Sequence, residues 1–390
     1  MKVMILGADG YLGWPTVMYL AIRGHRVMGV DSYIKREWET RTGAHPVQAV
    51  ASLEVRAQKW NEVNPGEAVS VSRGDITDAE YVATIVSKFR PDAIVHYGEQ
   101  PSAPFSMIDV RHAAETQVNN IVGTLNVLFA MRDYVPDAQL VKLGTMGEYG
   151  TPNIAIEEGY LTVTHKGRVD TLPFPKQPGS FYHLSKVHDS ANMLLASKIW
   201  GLRITDLNQG IVYGVRTDEM TKNGASPTSF HYDAVFGTVL NRFCVQAVAG
   251  VPLTVYGTGD QQRAFLNIRD TLQCVEIALN NPPPPGIPRV FNQFTETFSV
   301  MELAGLVREA AGKVGMSVSI QRVDNPRVEL DHHFYEPVND NLLRLGLEPR
   351  FLSTELVESI FSFVQSHTHA IDRRVIAPQV SWTARWTEVP

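Results

Sequence analysis

Two residues four apart, Tyr182 and Lys186, have the types and spacing to move a proton on and off a hydroxyl group. On a helix they share a face, so a lysine ammonium beside a phenol favours the phenolate and lowers a pKa that starts near ~10. They stand in Ser180-Phe181-Tyr182-His183-Leu184-Ser185-Lys186, which opens a run of helical period ending near Trp200. Leu184, Val187, Ala191, Leu194, Leu195 and Ile199 supply its apolar stripe, and Ser180 is the N-cap. His183 lies about 100° further round the helix, near its positive end, which lowers its pKa and keeps it a neutral acceptor. Tyr-x-x-x-Lys is common by chance, so its meaning depends on the elements that carry it.

Those elements begin at the N-terminus. Lys2 to Leu6 reads as a strand, Tyr11 to Arg23 as a helix and Arg26 to Val30 as a second strand, a β-α-β unit. Its turn, Gly7-Ala8-Asp9-Gly10-Tyr11-Leu12-Gly13, spaces glycines for a tight turn, for backbone approach to a pyrophosphate and for close helix packing, with the helix N-terminus facing the phosphates. Asp31 follows Gly13 by 18 residues at the end of the second strand. Its carboxylate can accept from a ribose 2′-hydroxyl and repels a 2′-phosphate, which selects NAD over NADP despite Lys35 and Arg36. Residues 32 to 66 form an insertion with a helix from Val47 to about Glu62, read as a lid. After a strand from Ala68 to Val71, Asp75 is placed to reach the adenine amino group or to cap a helix. A strand Ala93 to His96 leads into a helix from about His112 to Arg132, inside which Asn119 is a candidate for holding backbone or water near the site. The strand Leu140 to Leu143 ends at Thr145, where ligands of a parallel sheet collect, and Leu202 to Leu207 ends at Asn208-Gln209 in the same layer. Six such strands separated by helices predict an α/β fold, a doubly wound parallel sheet of the Rossmann kind over residues 1–213.

After Tyr213 the alternation stops, and residues 214–390 read as a smaller mixed α/β substrate-binding domain, with some segments able to return to the sheet. Gln262, Arg263 and Arg327 stand there in short polar surroundings, and arginine forks suit a nucleotide diphosphate. With 390 residues, 44% of them apolar and 19% charged, the chain has ample core for a soluble globular protein. A net charge of -6 argues against nucleic acid or an anionic membrane as partner. Cys244 and Cys274 have neither CxxC spacing nor histidines around them, so no disulfide framework or metal site is expected. Met1 runs directly into the strand-like Val3-Met4-Ile5-Leu6, so no signal segment is expected and the expected compartment is the cytoplasm.

Taken together, Gly7, Gly10, Gly13, Asp31, Thr145, Tyr182 and Lys186 resemble the extended short-chain dehydrogenase/reductases that act on nucleotide sugars. Within that superfamily the chain is similar to the UDP-sulfoquinovose synthase family along its length: Ala8 to Trp14, His96 to Gln100, Val141 to Glu157, Phe181 to Ser190, Asp206 to Gly214, Tyr232 to Gln246, Phe291 to Ser299 and Ile376 to Trp382. A 4,6-dehydratase is expected to carry Thr-Asp-Glu at the strand end, whereas this chain has Thr145-Met146-Gly147-Glu148, and a 4-epimerase needs no second acid-base pair. The alternatives are therefore a 4-epimerase or 4,6-dehydratase, or a non-catalytic NAD sensor, which would not need Thr145, Tyr182 and Lys186.

The resemblance implies conversion of UDP-glucose and sulfite to a UDP-sugar sulfonate with NAD used catalytically. Tyr182 would take the C4 hydroxyl proton, Lys186 would stabilise the tyrosinate and bind ribose, and Thr145 would polarise the C4 oxygen. His183 and Glu148 would serve the C5 and C6 steps. It further implies Asp9, Tyr11, Leu12, Ser32, Arg36, Ile76 and Val212 beside the cofactor, and Gln100, Gln209, Thr238 and Asn325 beside the substrate. A homodimer through the helices near 112 to 132 and 183 to 200 is expected, and so is a possible sulfite-donor protein. Where the family pattern has an arginine, this chain has Pro101, and Met220 to His231 carries no resemblance.

Overall fold

In a computed structural model of the chain, residues 1–66, 68–222, 228–329, 333–377, 380 and 382 are described. The stretch from Met220 to His231 and the tail from Ile376 to Trp382 therefore lie partly outside the described residues. The chain begins β1 (Lys2–Leu6), α1 (Gly13–Ile22), β2 (Arg26–Asp31), α2 (Ile34–Thr42), α3 (Leu53–Val63), β3 (Ser70–Arg73), α4 (Ala79–Phe89), β4 (Ala93–His96). It continues α5 (Ala103–Ser106), α6 (Val110–Gln117), α7 (Gly123–Tyr134), β5 (Gln139–Thr145), a hairpin of β6 (Tyr160–His165) and β7 (Arg168–Pro173), then α8 (Phe181–Trp200) and β8 (Arg203–Gln209). The remainder is β9 (Ile211–Tyr213), α9 (Asp218–Lys222), α10 (Val239–Val248), β10 (Leu253–Tyr256), β11 (Gln262–Asn267), α11 (Ile268–Asn280), β12 (Arg289–Gln293), β13 (Glu296–Ser299), α12 (Val300–Lys313), β14 (Ile320–Val323), α13 (Asp340–Arg344) and α14 (Thr354–Gln365).

Seven parallel strands in the order β12-β8-β5-β4-β1-β2-β3 form the main sheet. Strand order reverses between β1 and β4, and such a switch point opens a crevice at the carboxyl ends of the strands. One face packs Val3, Ile5, Val27, Val95 and Val141 against α1 and α11, and the other packs Met4, Ile94, Leu140 and Ile204 against α4, α7 and α8. A second core joins α10, α12 and α14 through Leu240, Phe243, Leu303, Val307, Val357 and Phe361. It supports a three-stranded sheet, β13-β11-β9, and the pair β10-β14. The seventh strand is β12, which with α11 returns to the main sheet from beyond residue 213, while β9 leaves that sheet for the smaller one. Of the described residues, no helix is long and apolar enough to cross a membrane.

Local chemistry moved several expected boundaries. The insertion helix starts at Leu53 rather than Val47, because Ser52 caps it by accepting from the Val55 amide, while Val47 bonds to Phe230 O at 2.9 Å. The insertion is packed down on the sheet: Trp38 is buried beside Phe105, α3 packs into the main core through Leu53, Ala57 and Trp60, and Lys35 reaches the cavity at the strand ends. The strand read as Ala68 to Val71 runs Ser70–Arg73, in register with Met28–Asp31. The helix read as His112 to Arg132 is interrupted by a π-helical turn at residues 118–122. Asn120 explains the interruption: it is buried, accepts from Gln100 N at 2.8 Å and donates to Gln100 O at 3.2 Å and Ser185 Oγ at 2.8 Å. Helical periodicity runs from Asp233 to Ala249, but the helix starts at Val239, since Asp233 instead accepts from the amides of Val235 and Phe236.

The glycine turn is closed by steric contact. Gly7 has φ +82°, and a methyl on Gly13 would sit 2.0 Å from Gly7 O. Gly13→Ala must therefore push α1 off β1. The expected outcome is loss of about 1–3 kcal/mol of stability together with loss of bound dinucleotide, measured by denaturant unfolding and by nucleotide content after purification.

Candidate active site

A cavity of about 540 Å³ opens at the carboxyl ends of β1, β4, β5 and β8 and is closed above by the second core's loops. Tyr182, His183, Thr145, Gln209, Thr238, Arg263 and Arg327 line it together with Tyr11, Leu12, Gly13 and Val212. A narrow groove continues from it along Gly7, Asp9, Gly10, Asp31, Ser32, Ile76 and Asn119.

Ser180 starts α8 by accepting from His183 N at 3.2 Å, and its hydroxyl also meets His183 Nδ1 at 3.0 Å. That leaves Nε2 against Gly147, where an added methyl would stand 2.3 Å from it. Burial, then Arg327 and Arg263, push the His183 pKa down to about 3. The imidazole is neutral, as the helix position suggested, but enclosure and two arginines supply the cause rather than the helix terminus.

Tyr182 departs from expectation. It keeps some surface on the cavity, yet enclosure by the protein raises its pKa well above the usual phenol value, with Lys142 and the Thr145 hydroxyl pulling the other way. Lys186 Nζ is 5.7 Å from the Tyr182 ring centroid, donates to Leu143 O at 2.6 Å and pairs with Glu99. Burial brings the Lys186 pKa down to about 8, against the pull of Asp189 and Asp206. The ammonium thus serves a carboxylate, and the phenol keeps its proton.

Other expected site residues stand behind the cavity wall. Glu148 is fully buried, paired with Lys176, accepts from Ser190 Oγ at 3.0 Å and from Thr145 N at 3.3 Å, and does not line the cavity. Its pKa is raised by burial, against Lys176. Gln100 is buried under the wall, its side-chain Oε1 accepting from Ser102 N at 3.2 Å. Arg263 lines the cavity and Gln262 does not, while Gln261, just before β11, lines it instead. Asn325 lies outside the lining and braces Glu329 (3.1 Å) and Arg327 N (3.0 Å). Asp75 is exposed and folded back onto Thr77, with its amide at 2.8 Å and its hydroxyl at 2.9 Å. Arg36 does not line the groove; it grips Asp9 with two bonds of 2.7 Å.

Sequence reasoning missed several wall residues. Trp382 lies 5.2 Å from the Arg327 guanidinium, Glu329 pairs with Arg263, and Lys35 with His231 flanks Glu39. Glu99 lines both cavity and groove, and Asp9, held also by Arg56, carries the insertion's charge onto the glycine turn. The motif Gly98-Glu99-Gln100 at a strand end was the one available signal.

The groove fits a dinucleotide. Gly7 and Gly13 leave the backbone bare where a Cβ would clash, and Asp31 ends β2 with Oδ2 on Asp9 N (2.9 Å) and Oδ1 on Tyr33 N (2.7 Å). Burial, with Asp9 nearby, raises Asp31 to about 6. Among the described residues, no group of three or more His, Cys, Asp or Glu is placed to hold a metal ion.

Residues 3–292 match the model of the NAD dependent epimerase/dehydratase family. Over 381 residues the chain is 51% identical to the chloroplastic UDP-sulfoquinovose synthase of Spinacia oleracea, covering 98% of this chain and 79% of that protein. It is 40% identical over 385 residues to the UDP-sulfoquinovose synthase of Sulfolobus acidocaldarius, covering 98% of both. The chain belongs to the UDP-sulfoquinovose synthase family. Solved structures of UDP-glucose 4-epimerases share its fold: that from Thermotoga maritima with UDP-glucose at TM-score 0.67 and 20% identity, covering 94% of this chain and all of that one, and that from Thermus thermophilus with NAD at 0.64 and 24%, covering 95% and all. In this family member the Thr-Met-Gly segment leaves, at Gly147, the space that the His183 ring fills. Gly147→Ala should displace that ring while sparing the groove. Turnover is expected to fall about tenfold or more with nucleotide content unchanged, compared by steady-state kinetics and by nucleotide release on denaturation.

Proposed function

We propose that this protein converts UDP-glucose and sulfite to UDP-sulfoquinovose with NAD as a catalytic cofactor. The observation that carries the reading is identity across 98% of the chain to synthases from two unrelated organisms. NAD, when bound, supplies reversible hydride acceptance at the sugar C4. Thr145 holds the C4 oxygen, and Tyr182 accepts the C4 hydroxyl proton once Lys186 turns toward the phenol and the ribose. A C4 ketone acidifies the C5 proton, and His183, neutral with Nε2 unengaged by Ser180, is the acceptor for it. His183 passes that proton to the C6 hydroxyl, which leaves as water. The sulfur of hydrogensulfite bonds to C6 and its proton goes to C5. The hydride taken from C4 then returns there as Tyr182 gives its proton back to the C4 oxygen. Glu148 acts on this site through Thr145 and Lys176 rather than on the sugar. Arg263 and Arg327 take the diphosphate, and Thr238, Gln209 and Gln261 frame the sugar.

The same reading includes a homodimer. Val118, Val122 and Phe129, with Leu195 and Ile199, expose apolar surface on the turn before α7, on α7 and on α8, which supports pairing of two copies there. Sulfite arrives free or from a donor protein.

Incubation of purified protein with UDP-glucose, with and without sulfite, should yield a UDP-sugar sulfonate only when sulfite is present, followed by mass spectrometry. UDP-galactose or an accumulating 4-keto-6-deoxy sugar would overturn the reading. His183→Ala is expected to retain oxidation at C4 and lose sulfonation by about 100-fold or more, and equal loss of both steps would remove the division of labour between Tyr182 and His183.

A further inference from the structure

Beneath Tyr182, four charged side chains are joined to one another by ion pairs. Lys142 on β5 pairs with Glu99 and with Asp189 Oδ2 at 2.9 Å, and Lys186 pairs with the other oxygen of Glu99. None of the four exposes more than 3% of its side chain. Two ammonium groups and two carboxylates sum to no net charge, the condition under which ions are tolerated in a dry interior. Glu99 faces both the cavity and the dinucleotide groove, so it stands where cofactor, sugar and lysine meet.

We propose that Glu99 and Lys142 are positioning residues for the Tyr182–Lys186 couple. Glu99 holds the Lys186 ammonium away from the phenol, Lys142 fixes Glu99, and the balance of the four charges sets how readily Tyr182 gives up its proton. This rests on the reading of Tyr182 as the base toward a sugar hydroxyl. The other groups facing Tyr182 and this set come from each neighbouring element. They are His96 on β4, held neutral by burial and by Lys142 and Lys186; Thr145 at the end of β5; Glu148 just beyond it; Asp206 on β8; and His183 on α8 itself. The enclosed phenol is pulled toward ionisation first by Lys142.

Charge arithmetic makes the idea testable. Lys142→Met leaves two carboxylates competing for Lys186, so Tyr182 should ionise at higher pH. Glu99→Gln frees Lys186 and leaves a net positive charge, so it should ionise at lower pH. The double variant is again neutral. The readout is the pH dependence of hydride transfer from UDP-glucose to bound nicotinamide in a single turnover without sulfite. Shifts of about one unit or more in opposite directions are expected for the single variants, with the double variant within about half a unit of wild type. Lys142→Arg, which keeps the charge, should leave the profile in place and serves where the methionine variant fails to fold. Shifts in the same direction, or unmoved profiles in both single variants, overturn the proposal. If wild-type protein forms no reduced nicotinamide from UDP-glucose, the substrate reading is what falls. The fluorine resonance of a fluorotyrosine placed at 182 then reports the same titration in the nucleotide-loaded protein, and there too only opposite shifts support the proposal.

Discussion

A lysine ammonium cannot lie dry without a counter-charge, and much of this molecule is arranged around that constraint. Lys186 is buried beneath the cavity floor, so Glu99 must come to it from the end of β4, and Lys142 and Asp189 must follow to balance the pair. The strands and helix that deliver these groups are the centre of the parallel sheet and α8. The sheet therefore has to be packed on both faces before the chemistry can exist.

The second organising contact joins the insertion to the glycine turn. Arg36 from α2 and Arg56 from α3 converge on Asp9, whose amide in turn meets Asp31. The turn, Asp31 and the insertion are thus tied together by one set of contacts. Arg56 is buried with its guanidinium 4.9 Å from the Trp14 ring, which adds the first helix to the same unit. At the opposite end of the cavity, Arg263 pairs with Glu329, whose charge also acts on the buried Arg327.

What was legible in the sequence follows the range of the interactions. The β-α-β turn, Asp31, the helix of Tyr182 and the cap at Ser180 depend on neighbours within a few residues, so spacing alone reveals them. The π turn at Asn120 depends on partners at Gln100 and Ser185, and the release of Val47 from the insertion helix on Phe230, all far along the chain, and periodicity carries no trace of those. Glu148 shows the same limit: a carboxylate beside Thr145 reads as catalytic, but the strand end turns it inward onto Lys176 and Ser190. The sign of the Tyr182 shift was invisible because a four-residue spacing says nothing of burial or of Glu99. Gln262 and Gln261 were confused by one residue.

The central claim is that one enclosed site removes hydrogen from C4, holds it through the C5 and C6 chemistry, and returns it to the same sugar. Its most direct test is turnover of UDP-glucose bearing deuterium at C4, with sulfite present and unlabelled NAD added to the medium. The account predicts a sulfonated product that retains deuterium at C4. Loss of the label to solvent or to the added nicotinamide pool would contradict it.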